Sequence, residues 1–191
     1  MRTLLLALFL LSEPVHAQED VGLVTLVAGE VSYQVGPVRA YMKVREGDRF
    51  EVPAGGQLRL IYFTGARQET WRGPARLSAA KRESAALSGV PSEVSVLPAS
   101  VPQRLVRIPE LAQNAVFGGV RVRGKPPLPA TTETEESLRE ARATYARLRR
   151  ELSADDLTPE LFLYAALAAG PDPDSDEARA LATRLRDRQQ R

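Results

Sequence analysis

The sequence predicts a mainly β protein: a small antiparallel sandwich or barrel-like module, a proline-rich linker, and a C-terminal region of two to three helices. Three observations predict it. Short runs of alternating apolar and polar residues recur from Leu23 to Ala79, split by glycine and proline turns. Their spacing, roughly 8–12 residues from turn to turn, is that of a sandwich or barrel. Pro126, Pro127 and Pro129, with Thr131 and Thr132, then break the pattern as an extended linker. Beyond it the composition turns to Ala, Leu, Arg and Glu, with apolar residues at helical spacing.

The elements follow in order. Leu23–Ala28 and Val31–Val35 read as strands around Gly29-Glu30; Val31, Tyr33 and Val35 share one face. After Gly36-Pro37, Val38 to Val44 alternates apolar positions with Arg39, Tyr41 and Lys43, as a strand would. Glu46-Gly47-Asp48 turns the chain into Phe50 and Val52, and Ala54-Gly55-Gly56 turns it again. Leu58–Phe63 is apolar on both faces in its second half, the mark of a strand covered on two sides. Thr64-Gly65 is a hairpin turn into Arg67–Trp71; Gly73-Pro74 ends that run, and Ala75–Ala79 adds a strand.

Lys81–Gly89 fits a short helix or a loop. Val94–Leu97 is a weaker strand, and Pro91, Pro98, Pro102 and Pro109 confine the strands of this part to sheet edges. Leu111–Val116 fits a short helix and Val120–Val122 a final strand. Thr132 with Glu135 forms a capping box, followed by the stripe Leu138, Ala141, Tyr145, Leu148, Leu152. Thr158-Pro159 opens a second helix that Gly170 closes. Asp174 with Glu177 caps a third, carrying Ala178, Leu181, Ala182 and Leu185. So short a helical region is marginal as an independent core. Its helices must pack on each other, on the β module or on a partner.

The first residues predict an address. Arg2 precedes an uncharged run, Leu4–Leu11, and Val15-His16-Ala17 supplies a small-x-small cleavage site: a secretory signal peptide over residues 1–17. The apolar run is far short of the ~20 residues that span a bilayer. The expected organisation is therefore a leader (1–17), a β domain (18–123), a linker (124–134) and a helical region (135–191). The mature chain would be periplasmic, with no transmembrane segment. The one histidine, His16, falls in the leader, and there is no cysteine. Ser-His-Asp and Cys-His nucleophiles and ordinary zinc sites need those residues. We therefore expect no enzyme, no metal site and no cofactor. Net charge is only +2, without a dense basic run, which argues against a nucleic-acid partner.

Val27-x-Gly29-x-Val31, Val44-x-x-Gly47-Asp48, Val52-Pro53-x-Gly55-Gly56, Leu58-x-Leu60 and Gly65 after Phe63 follow one another along the chain. With them, Leu23–Ala75 resembles the FecR domain, the extracytoplasmic β module named after the ferric-citrate regulator. The run Tyr62 to Ala75 looks like the version in stand-alone periplasmic relatives. The resemblance covers at most half of the mature chain and implies an all-β module without known catalysis. In the regulator the module lies outside a transmembrane helix and a sigma-factor-binding segment. Here a cleavable leader runs almost directly into it, so a soluble role in the envelope fits better.

Two groups of residues are candidates for binding. Arg67, Glu69, Trp71 and Arg72 combine an aromatic with arginines. They suit a sugar ring or an acidic cell-wall group through stacking and forked hydrogen bonds. The alternative is that Trp71 fills the sheet core beside Pro74. Leu138, Arg142, Tyr145 and Arg149 lie on a helix that either meets a partner or packs within its own bundle. The acidic groups Asp155, Asp156, Glu160 and Asp172, Asp174, Asp176, Glu177 read as helix N-terminal caps. The second group lacks the twelve-residue loop of a calcium site. The expected role is a non-enzymatic binding or scaffold protein whose partner is an envelope protein or a peptidoglycan-type glycan. The alternatives are a soluble component of an envelope signalling system and a carboxylate-based cell-wall hydrolase.

Overall fold

The computed structural model describes residues 19–34, 36–111 and 134–189. Ten strands form two antiparallel sheets. They are β1 (Asp20–Ala28), β2 (Ser32–Tyr33), β3 (Gly36–Pro37), β4 (Lys43–Arg45), β5 (Arg49–Val52), β6 (Gln57–Tyr62), β7 (Arg67–Arg72), β8 (Ala75–Ala79), β9 (Ser84–Ser88) and β10 (Glu93–Val96). The first sheet has the order β10-β7-β6-β1-β4, the second β3-β2-β5-β8-β9. Helices α1 (Ser100–Leu105), α2 (Glu135–Glu151), α3 (Thr158–Ala168) and α4 (Asp176–Gln189) follow. The expected mainly β fold with a helical C-terminal region is what the structure shows.

Alternation along the strands builds two cores around the first sheet. Val24, Leu58, Leu60, Tyr62 and Trp71 face the second sheet and meet Phe50, Val52 and Leu77. Leu23 and Ile61 lie in the other core, with Leu105, Leu138, Leu148, Phe162 and Leu181. The layers therefore run helices, first sheet, second sheet. The two-sided apolar pattern of β6 has its cause here: helices cover one face and strands the other. The helices pack on each other and on the β module. Each fully buried Leu, Ile or Phe side chain contributes about 1.5–3 kcal/mol to this arrangement.

Several turns are dictated by close approach. A Cβ on Gly73 would overlap the carbonyl of Pro53, so only glycine lets β7 end against that turn. Gly47 takes φ +88°, and the Asp48 carboxylate closes the same turn by accepting from Arg45 N at 2.8 Å.

Some expectations need correction. Val38–Val44 is not one strand; only Lys43–Arg45 pairs. Tyr41 adopts φ 66°, which breaks the alternation. Tyr41 thereby reaches the helical core, and its hydroxyl donates to Leu185 O at 3.4 Å, while Val38 and Val44 stay between the sheets. Lys81–Gly89 contains neither helix nor mere loop but β9, paired with β8. Its small residues, Ser84 to Ala86, carry no readable period. Helix α1 arises where the prolines suggested edge strands, and Pro102 sits in its first turn, where a missing N–H costs nothing. Helix α2 is capped by Thr134, whose hydroxyl accepts from Ser137 N, and Ser175 accepts from Ala178 N in α4. The leader, most of Leu111–Val116, Val120–Val122 and nearly all of the linker lie outside the described residues.

Burial raises the pKa of Asp48 from its ordinary value, against the lowering effect of the Arg45 N–H. A carboxyl raised in the folded state favours folding below its unfolded pKa, and that contribution is lost as pH rises through the folded value. Asp48→Asn keeps an acceptor and removes the charge. Its melting temperature should exceed that of wild type at pH 7, and the gap should close below about pH 4. Thermal melts across this range check it; a gap independent of pH contradicts it.

Candidate functional site

The strand β7 places Arg67, Glu69 and Trp71 on one face, as the i, i+2 spacing requires. Glu69 is the hub. Its carboxylate accepts from Arg67 Nε at 2.6 Å, from Trp71 Nε1 at 3.0 Å and from Ser84 N at 3.3 Å. The hydroxyls of Tyr62 and Ser84 share a hydrogen bond of 2.7 Å beside it, and burial pushes the Tyr62 phenol well above its ordinary pKa. Glu69 and Trp71 are each 1% exposed. Trp71 lies between the sheets, so both faces of its indole are covered by protein and none is open to a sugar ring. Arg67 is partly exposed and also meets Glu83 at 3.5 Å. Arg72 is exposed and not part of the cluster. The structure thus joins three of the four residues into a buried hydrogen-bonded unit, not an open platform.

The opposite parity of β6 and β7 points at the helices. Arg59 Nε donates to Thr70 Oγ1 at 2.9 Å, and Arg59 Nη1 lies 3.3 Å from Asp156 Oδ2, with side-chain exposures of 3% and 2%. Gln68 Nε2 donates to the same Oδ2 at 2.7 Å. Asp156 Oδ1 accepts from Thr158 N at 2.9 Å, at the start of α3, and Thr158 Oγ1 donates to Gln68 Oε1 at 3.3 Å. The Arg59–Asp156 pair is close but not aligned as a hydrogen bond, and Nη1 has no hydrogen-bond partner among the described residues. Capping was the expected role of Asp156; holding a buried arginine was not.

The helix candidates are also spent within the chain. Leu138 is buried against the helical core and Tyr145 is half-buried on it. Arg142 Nη2 meets Glu177 at 2.8 Å, and that hydrogen bond raises the Arg142 pKa. Arg149 pairs with Glu160 at 2.9 Å and donates to Asp156 O at 2.8 Å and to Ser153 O. It thereby holds the loop between α2 and α3.

What stays open lies elsewhere. Leu87, Val90, Val94, Val96 and Val106 are the exposed large hydrophobics of the described residues. Strand β10 ends the first sheet and strand β9 ends the second. Val94 is 42% and Val96 75% exposed on β10, whose outer backbone edge pairs with no strand among the described residues. A second open feature is a cleft of about 370 Å³ at β2, β5 and β8. The prolines around Val94–Leu97 placed this strand at a sheet edge, where β10 lies, but sequence reading did not show that Val94 and Val96 stay uncovered, and it missed the cleft. No cluster of three or more His, Cys, Asp or Glu able to hold a metal occurs among the described residues, and no helix there is long and apolar enough to cross a membrane.

No protein-family model, curated protein or solved structure matches the chain.

Two stability outcomes follow from the buried units. Asp156→Ala leaves Arg59 buried without its counter-charge and should cost about 3–5 kcal/mol. Adding Arg59→Met should recover part of that loss, so a double-mutant cycle by urea unfolding should show a coupling of at least ~1 kcal/mol; additive losses refute the pairing. Trp71→Phe removes one donor from Glu69 and should cost about 1–3 kcal/mol, against about 3–5 for Trp71→Ala, which also opens a cavity. A Trp71→Phe variant as stable as wild type would show that the indole N–H contributes nothing.

Proposed function

We propose that this chain is a non-enzymatic binding and scaffold protein of the cell envelope that holds another envelope protein against the open side of its sandwich. The observation that carries this reading is the concentration of the exposed large hydrophobics, among the described residues, within residues 87–106. Scattered exposed aliphatics need no explanation, but Val94 and Val96 together on one edge strand suit a protein contact. Strand β10 adds unpaired backbone groups to that margin, the feature that an extended partner segment uses in strand addition.

Other observations agree. The helices and the sandwich share a core, which makes a firm support for an interface. Glu69, Asp156 and Glu160 are held in ion pairs within the fold, as suits structural rather than catalytic carboxylates. The resemblance of Leu23–Ala75 to the FecR module and the leader-like start favour an extracytoplasmic setting.

A photo-crosslinking residue at Val94 tests the reading in the full chain. A discrete crosslinked envelope protein is expected. The same protein, purified, should bind wild type and lose at least tenfold in affinity to Val96→Asp, while the melting temperature stays within a few degrees. No crosslinked envelope protein, or unaltered affinity in the variant, would dismiss it.

A further inference from the structure

The cleft of about 370 Å³ lies on the second sheet; it shares Leu87 with the exposed aliphatics but no residue of β10. Its size is at the low end for small-molecule sites, enough for a ligand of one or two rings. Register places its polar side chains. Ser32, Glu51 and Arg76 stand in one cross-strand row, since Glu51 pairs with Ser32 on one side and with Arg76 on the other. Arg49 lies two residues from Glu51 on the same face of β5, diagonal to Arg76. Diagonal neighbours are about 7–8 Å apart, within reach of two long side chains that converge on one group. Gln34 and Leu87 close the two ends.

The charged groups among these are uncommitted, while Gln34 Nε2 donates to Gly47 O at 3.5 Å. Arg59, Arg67, Arg142 and Arg149 are all tied into ion pairs. By contrast, the side chains of Arg49, Glu51 and Arg76 make no ion pair or hydrogen bond among the described residues. Two guanidinium forks that converge suit a carboxylate. Glu51 between them repels a bare multivalent anion and asks for a donor such as a hydroxyl or amide. The cleft is on a sheet face, where backbone donors are used in the ladder, so side chains alone must read the ligand. That suits a hydroxyl-rich molecule and not an extended peptide, which needs a free edge. We propose that this cleft binds a carboxylate-bearing saccharide, with Arg49 and Arg76 holding the carboxylate and Glu51, Ser32 and Gln34 meeting hydroxyl or amide groups.

Titration of the full chain with a muramyl disaccharide and with digalacturonate, followed by calorimetry, tests it and distinguishes a cell-wall from an acidic-polysaccharide source. One of the two should bind, and Arg49→Ala and Arg76→Ala should each weaken it about tenfold or more. Both positions are exposed, so melting temperatures should not change. Val96→Asp should bind the saccharide like wild type, which separates this site from the protein-binding margin. Three outcomes would overturn the proposal: neither acidic sugar binding, neutral galactobiose or inorganic phosphate binding as tightly, or both arginine variants binding like wild type.

Discussion

The buried ion pair between Arg59 and Asp156 is the constraint around which the rest of the molecule is arranged. A guanidinium that is 3% exposed cannot stand in an apolar layer without compensation. Asp156 supplies the charge, Thr70 an acceptor, and Gln68 and Thr158 bind the same carboxylate. The partners come from β6, β7 and the start of α3, so the network can be satisfied only when the helices sit on the sheet. A buried pair of this kind adds little net stability compared with apolar packing. Its effect is specificity: one seating of α3 satisfies the charge, and a displaced seating leaves it unpaired. Arg149 reinforces the same loop from the other side, through Asp156 O and Glu160.

The first sheet can serve two cores because its central strands use both parities. Leu58, Leu60 and Tyr62 go to the sandwich, while Arg59 and Ile61 go to the helices. The same division explains β7, where Glu69 and Trp71 turn inward and Gln68 and Thr70 turn to the helices. Each face then carries one buried carboxylate hub, Glu69 on one side and Asp156 on the other. Residues that look like recognition groups in the sequence, an aromatic among charges, are the means by which polar atoms inside the fold are paired. The surfaces left for partners are made of plainer residues: valines on an edge strand, and arginines that no internal acid has claimed.

Much of the architecture was legible in the sequence. Strands β1, β5, β6, β7 and β8 follow from alternation between glycine turns, and α2, α3 and α4 from apolar spacing and capping residues. Both signals are local, because the pleat and the helical turn impose their periods on any chain with a buried face. Val38–Val44 misled for the same local reason: the alternation is present, but a left-handed Tyr41 redirects it. Strand β9 left no trace, since Ser84, Ala85 and Ala86 are too small and too alike to show a period.

By itself, then, the sequence determined the class of fold, the order of most elements and the two-sided burial of β6. It also determined that Arg67, Glu69 and Trp71 share a face. Tertiary structure alone decided that this face turns inward and that Asp156 reaches across to Arg59. It likewise decided that β9 ends its sheet and that Val94 and Val96 on the edge strand β10 stay uncovered. The physical reason is range. Periodicity, caps and turns are set by neighbours a few residues apart, whereas burial and strand order depend on pairings such as Gln68 with Asp156, which no local pattern records.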